Sequence, residues 1–351
     1  MVGPDGALPL PWLAEPLRQA LATQRAHALL IQGPQGVGQF DLALTLAQAW
    51  LCEAAQGERP CGVCASCRLV QSHSHPDLLV LLPEALREPL GWASLDDSDA
   101  ADSAGDKSSK RKPSKEIRVD EVRLAIAFAQ STSSRGRSKV VVMHPAERMN
   151  GVSANALLKT LEEPPGSARL LLSCAAPDAL LPTIRSRCQA VPLRLPDTRL
   201  ASQWLAERSV AQPEVMLAAA GGQPQEALQW VQEGVDARLW VGLPQQLARG
   251  DVGSLAAWPL PRAIDMLQKL CHDAMRVAAG AAPRYFPPAS MPAAPPLDAL
   301  SDWARELARA ARHAEHPWNA GLMIEALVQQ AKQAFATPTH ARRGVSVHSN
   351  G

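Results

Sequence analysis

His27-Ala-Leu-Leu-Ile-Gln-Gly-Pro-Gln-Gly-Val-Gly-Gln-Phe40 decides how the rest of the chain is read. Its first six residues form a short apolar run of strand length, and its next six are rich in glycine. Phe40 to Leu51 then places apolar residues at helical spacing. Strand, glycine loop and helix in that order open a nucleotide-binding α/β unit. Gly33, Gly36 and Gly38 hold the spacing of a phosphate-binding loop, in which backbone N–H groups can turn toward phosphate oxygens.

Further strands are expected at Leu78–Leu82, Lys139–Met143 and Leu170–Ser173. Each is a continuous hydrophobic run rather than an alternating one, and helical segments separate them, so the sheet should be parallel and covered on both faces. The fold class of the first half is therefore α/β. Between the second and third strands, residues 86–116 carry an acidic stretch and then a basic one. They are poor in aliphatics after Leu95, which predicts a disordered insertion. Val119, Val122 and Ile126 then have helical spacing. A composition shift follows Pro192–Pro196. Two short amphipathic helices are expected over Arg199–Gly234, broken at Gly221-Gly-Gln-Pro224. A helical region follows from Leu239, interrupted by Pro283–Pro296, and ends in a helix over Leu322–Phe335. The divisions are residues 1–195, 196–236 and 237–336, with a disordered tail over 337–351.

The phosphate loop should not work. Hydrolysis needs a lysine that reaches the β and γ phosphates and a hydroxyl that holds Mg²⁺. Those positions are Gln39, which is neutral, and Phe40, which cannot ligate a metal. The acidic pair that orders Mg²⁺ and activates water should end a later strand, yet His144 and Pro145 follow Met143. No intrinsic ATPase is expected and ATP should not bind productively, although weak binding to the loop backbone stays open.

Cys52, Cys61, Cys64 and Cys67 have the spacing C-x8-C-x2-C-x2-C, in a chain with seven cysteines. Four thiolates suit a closed tetrahedral, structural Zn²⁺ site. An iron–sulfur cluster is the competitor, but the cysteine and proline that would continue a ferredoxin run are missing after Cys67. With four cysteines at hand, His73 and His75 read as surface residues.

The chain of 351 residues suggests two or three domains. Its net charge of +1 announces no global field for nucleic acid, so DNA contacts would be local or shared with partners. The first residues lack a basic region followed by an apolar stretch, and no run approaches membrane-spanning length, so a cytoplasmic chain without membrane contact is expected.

Two further stretches carry a family resemblance. Asn155-Ala-Leu-Leu-Lys-Thr-Leu-Glu-Glu-Pro-Pro165 and Thr183-Ile-Arg-Ser-Arg-Cys188 resemble signatures of the AAA+ clamp-loader ATPases. With the glycine loop and four cysteines, they are similar to the bacterial gamma/tau and delta-prime subunits of DNA polymerase III. The losses at Gln39, Phe40, His144 and Pro145 resemble the delta-prime branch. So does Gln225 of Gly222-Gln-Pro-Gln-Glu-Ala-Leu228, where a nucleotide-sensing arginine would stand. Asn319-Ala-Gly-Leu-Met-Ile-Glu-Ala-Leu327 resembles a collar-domain segment. The resemblance implies an AAA+ P-loop domain, a small helical lid domain and a helical collar. It implies a hetero-pentamer with gamma/tau and delta subunits, which places a sliding clamp on primer-template DNA. It also implies that Arg187, flanked by Ser186 and Cys188, serves the ATP of a neighbouring subunit, where a guanidinium can stabilise charge on the γ-phosphate. An ion pair at a helix end is the plain alternative for Arg187. An active ATPase of the same family, and an independent zinc-dependent DNA-binding module, are the alternative functions.

Overall fold

The computed structural model describes residues 1–23, 26–92, 113–314 and 319–336, which fall into two compact units, Met1–Leu200 and a second that begins at Ala201. The division expected at residue 236 lies inside the second unit. The tail over 337–351 lies outside the described residues, as does 93–112 of the insertion.

The first unit contains, in chain order, α1 (Ala14–Thr23), β1 (Ala28–Gln32), α2 (Gln39–Leu51), α3 (Ala65–Gln71), β2 (Leu78–Leu81), α4 (Glu84–Arg87), α5 (Val119–Gln130), β3 (Val140–Met143), α6 (Gly151–Glu162), β4 (Arg169–Cys174), α7 (Pro182–Arg185) and β5 (Gln189–Pro192). The five strands form one sheet in the order β2-β3-β4-β1-β5, and every pairing is parallel. This is a parallel α/β fold, as expected for the first half of the chain. The inner strands are buried along their length because helices cover both faces, so Val-Val-Val-Met in β3 has no polar position. The core between β3, β4, α5 and α6 is built from Ile117, Val122, Val141, Leu157, Leu161 and Leu172, among others.

Parallel strands gather their C-terminal ends on one edge of the sheet, where ligands of open α/β folds are held. That edge receives the glycine loop after β1, His144 after β3 and Ala175 after β4. The opposite edge receives Glu162 at the end of α6 and Arg187 just before β5. Asn150 starts α6 by accepting the Ser153 amide at 2.9 Å, and Pro164 prevents continuation beyond Glu163.

The flanks of the expected insertion are structured. Residues 84–87 form α4, the Ala85 amide donates to the Ser114 carbonyl at 3.0 Å, and buried Arg87 pairs with Glu121 at 3.2 Å. A buried carboxylate, Asp77, ties the start of β2 to the loop before β3. It accepts from the amides of Ser134 and Arg135 at 2.8 and 2.9 Å and pairs with Lys139 at 3.0 Å. Burial works against the charged form, but these donors outweigh it and hold the Asp77 carboxyl below its ordinary range.

Around and beyond the boundary the chain is helical: α8 (Thr198–Ala206), α9 (Pro213–Ala219), α10 (Pro224–Gln232), α11 (Ala237–Ala248), α12 (Leu260–Ala278), α13 (Leu297–Arg312) and α14 (Ala320–Ala336). Where two helices were expected over 199–234 there are three. The extra break has Ser209 and Gln212 at positive φ (62° and 50°) and Pro213 at the first turn of α9. In the second unit Asp273, fully buried on α12, accepts the amides of Arg284, Tyr285 and Phe286 at 2.9, 2.7 and 2.9 Å. Phe286 stacks on Trp240 with ring centroids 4.6 Å apart, so the proline-rich stretch is fastened to the helices.

Candidate functional site: a closed phosphate loop, a four-cysteine centre and a paired arginine

The glycine loop keeps its backbone shape for steric reasons. A Cβ on Gly33 would stand 2.1 Å from the Leu193 carbonyl oxygen, and Gly38 has φ +96° where it starts α2. The side chains that should meet nucleotide behave otherwise. Gln39 is buried, and its Nε2 donates to the carbonyls of Gly33 at 2.6 Å and Pro34 at 2.5 Å. A lysine here would be aimed at phosphates; the amide instead closes on the loop itself. Trp12 Nε1 donates to the Val37 carbonyl at 2.8 Å and braces the loop from the N-terminal segment.

The metal side of the site is filled. Phe40, at the hydroxyl position, stacks on His144, at the acidic position, with centroids 4.7 Å apart and planes 20° from parallel. His144 Nδ1 lies 2.9 Å from Ser173 Oγ on β4. Burial lowers its pKa to about 4, so the ring is neutral at pH 7. An apolar, uncharged pair thus occupies the place where a nucleotide-hydrolysing site assembles a hydroxyl, a carboxylate and a cation.

The four cysteines converge at the C-terminal end of α2 and the start of α3. Their sulfur atoms all lie within 4.8 Å of one another, with Cys52 and Cys64 at 3.9 Å and Cys61 and Cys67 at 4.0 Å. These separations are about twice a disulfide bond of roughly 2.05 Å, so the thiols are unpaired and grouped as around one ion. The amides of Cys61, Cys64 and Cys67 each point at a preceding sulfur, of Cys52, Cys61 and Cys64, at 3.4 Å. Backbone N–H groups of Cys64 and Val63 bring the Cys61 thiol down to about 6, whereas burial pushes Cys52 and Cys67 up. A bound cation would reverse the burial effect by favouring thiolates.

Around this centre runs a polar network that the sequence did not reveal. Ser66 donates to Glu53 at 3.0 Å, and Arg135 reaches both Ser66 Oγ and Glu53 at 3.1 Å. His75, expected on the surface, is only 4% exposed. It lies 3.2 Å from Ser66 Oγ and accepts the Asp77 amide at 3.0 Å. It is buried because two hydrogen-bond partners satisfy its ring. His73 is exposed and stacks on Trp92.

Arg187 is held by its own chain. Its Nε donates to Glu162 Oε1 at 2.5 Å, Nη2 pairs with the same carboxylate, and Nη1 donates to the Thr183 carbonyl at 3.0 Å. Nη1 also lies 3.3 Å from Ser186 Oγ. Its neighbour Arg185 pairs with Asp178 instead. Cys188 packs on the core and its thiol is pushed up to about 12 by burial.

The chain has counterparts among known proteins. Residues 11–197 match the family model described as DNA polymerase III, delta subunit. The chain is 38% identical over 216 residues to DNA polymerase III subunit delta' of Pseudomonas aeruginosa, covering 60% of this chain but only 58% of that one. With DNA polymerase III subunit delta' of Escherichia coli K12 it shares 32% identity over 286 residues, 78% of each chain. With the tau subunit of the same organism it shares 32% over 171 residues, 49% of this chain and 22% of the other. Among solved structures, a gamma subunit-related protein of Thermotoga maritima aligns at 17% identity with a TM-score of 0.47, over 92% of this chain and 99% of the other.

Proposed function

The chain belongs to the DNA polymerase III delta subunit family, and from that membership we propose that it is the delta-prime component of a bacterial clamp loader. In this reading it hydrolyses no ATP, offers Arg187 to the ATP of a neighbouring gamma/tau subunit, and helps place a sliding clamp on primer-template DNA in the cytoplasm. Gamma/tau and delta subunits are its partners in a hetero-pentamer, and DNA is met through the assembly. Its helical regions serve as lid and collar. No helix among the described residues is long and apolar enough to cross a membrane.

One observation carries the reading: the two edges of the sheet have opposite characters. At the C-terminal edge the loop is closed by Gln39 and the metal position is filled by Phe40 and His144. At the N-terminal edge Arg187 survives within Ser186-Arg-Cys188. β5 pairs Gln189 with Leu29, the second residue of β1, whereas the loop starts after Gln32. Four residues of strand separate those levels by roughly 13 Å. Arg187 is therefore on the wrong edge to serve its own loop and on a surface suited to a neighbour's. A guanidinium brought to a γ-phosphate in trans stabilises the charge that develops there, an effect worth about 10³-fold or more in turnover where it has been measured in other nucleotide hydrolases.

The four-cysteine centre fits structural Zn²⁺. Zinc–sulfur bonds of about 2.3 Å place tetrahedral thiolates roughly 3.8 Å apart, close to the separations seen here. A four-iron cluster would hold each thiolate on a different iron and so spread the sulfurs farther. With all four donors used, the ion has no open position for catalysis; it would fix the excursion between α2 and α3.

The test is the DNA-stimulated ATPase rate of a loader reconstituted from gamma/tau, delta and this chain. Arg187→Ala is expected to lower turnover severalfold or more in an intact complex, while the isolated chain shows no turnover. An unchanged rate in an assembled complex refutes the role of Arg187, and turnover by the isolated chain refutes its inertness.

A further inference from the structure

The contact between Glu162 and Arg187 holds back the guanidinium that would serve a neighbour's ATP. A guanidinium whose Nε and Nη2 lie on a carboxylate, and whose Nη1 faces the Thr183 carbonyl, is not presenting its donors to a phosphate. We propose that Glu162 is a positioning residue, a releasable tether that holds Arg187 against its own chain until a neighbour's triphosphate competes for the guanidinium. This proposal rests on Arg187 acting in trans and adds how that action is regulated.

Three features support a tether rather than a structural ion pair. First, both side chains are substantially exposed, 32% for Arg187 and 48% for Glu162. Ion pairs this open contribute little to stability, so breaking one does not unfold anything. The buried Asp77–Lys139 pair, with 0% and 8% exposure, shows how this same unit builds a structural pair. Second, Glu162 is the last residue of α6. A carboxylate at a helix C-terminus meets the negative end of the helix dipole, so it gains from a nearby cation without being rigidly fixed by the helix. Third, the competitor is stronger. A terminal phosphate group carries more negative charge than one carboxylate and accepts the arginine fork in two parallel bonds. The guanidinium therefore exchanges one anion for a better one when a nucleotide-bearing neighbour arrives, and returns when none is present. The Thr183 carbonyl, four residues back, and the hydroxyl of the adjacent Ser186 keep the side chain near the surface during the exchange.

The tether is tested on the isolated full chain, where no partner is needed. An arginine-selective dicarbonyl reagent attacks a free guanidinium faster than a paired one, and its addition at Arg187 can be followed by mass spectrometry. Glu162→Gln removes the charge while keeping the shape, and should accelerate modification at Arg187 by roughly twofold to fivefold, the factor that an exposed ion pair represents. Glu162→Asp, which retains the carboxylate, should restore part of the protection, and Arg185, paired with Asp178, is the internal control. Equal rates at Arg187 in wild type and Glu162→Gln overturn the tether. In the reconstituted loader, Glu162→Gln should shift the ATP dependence of turnover to lower concentrations, and a shift to higher concentrations overturns the competition. These outcomes are separate from the Arg187→Ala result: loss of that effect removes the trans role and leaves the modification data intact.

Discussion

His144 makes the closed nucleotide edge sensitive to acid, and the size of the effect follows from its surroundings. An unfolded histidine titrates near 6.5, whereas burial brings this one down to about 4. Between those values the unfolded chain binds a proton that the folded chain refuses, so stability falls as pH falls. The contribution is nearly constant above pH 6.5. It declines by about 2 kcal/mol by pH 5 and by up to about 3 kcal/mol below pH 4. His144→Phe isolates the term. The substituted ring retains the stack on Phe40 but loses the 2.9 Å contact to Ser173 Oγ, at a cost of about 1 kcal/mol at pH 7. Other groups also respond to acid: His75 is lowered by burial, and Glu53 by its hydrogen bond to Arg135. These are common to both chains and cancel in the difference. The assay is urea unfolding from pH 7 to pH 4.5, read by hydrogen exchange in peptides from α2 and β3 so that the first unit reports alone. The variant should start less stable and overtake wild type near pH 5.5. Parallel profiles across that range would refute a buried neutral His144.

Two more predictions concern the other clusters. Elemental analysis of the full chain should find one zinc per molecule, and Cys64→Ser should lose it. A strong chelator should then expose the segment between α2 and α3 to protease in wild type, and retention of protection in metal-free protein would exclude the structural role. In the second unit, Asp273→Ala leaves the amides of residues 284–286 without their acceptor. A destabilisation of about 3 kcal/mol or more by thermal or urea unfolding is expected, since buried donors left unpaired cost about 1–3 kcal/mol each; a loss below about 1 kcal/mol would mean that water replaces the carboxylate.

The strands that were legible in the sequence are those buried on both faces. Val140–Met143 and Leu170–Leu172 stand out as apolar runs because they lie on inner strands with both faces covered. β5 was not legible because Gln189, Ala190 and Pro192 are exposed and Gln189-Ala-Val-Pro192 shows no pattern, whereas β2, at the other edge of the sheet, keeps an apolar run and buries its second half. The sites divide in the same way. The loop glycines and the four cysteines are announced by spacing within a short window, and Arg187 by the resemblance of Thr183–Cys188 to a family signature. Phe40 on His144, Glu162 on Arg187, and His75 between Ser66 and Asp77 join residues distant in sequence, and no local periodicity encodes such pairings. His75 was misread for a further reason: a histidine beside a complete set of thiolates has no visible task until its hydrogen-bond partners are known.

The three changes at the nucleotide edge make physical sense only together. A lysine and a carboxylate facing one another across an empty, partly buried loop would need nucleotide and Mg²⁺ to compensate their desolvation. A chain that works without its own nucleotide, as proposed for this one, gains by carrying groups there that satisfy themselves. Gln39 does so through the carbonyls of Gly33 and Pro34, and Phe40 and His144 do so by stacking. Restoring a lysine at position 39 alone would reintroduce a buried charge while Phe40 still blocks the metal, so single reversions should destabilise rather than reactivate. The arginine at the other edge faces no such constraint. Arg187 is partly exposed and keeps a local counter-ion in Glu162, which under the proposed function leaves it within reach of a phosphate that belongs to another chain.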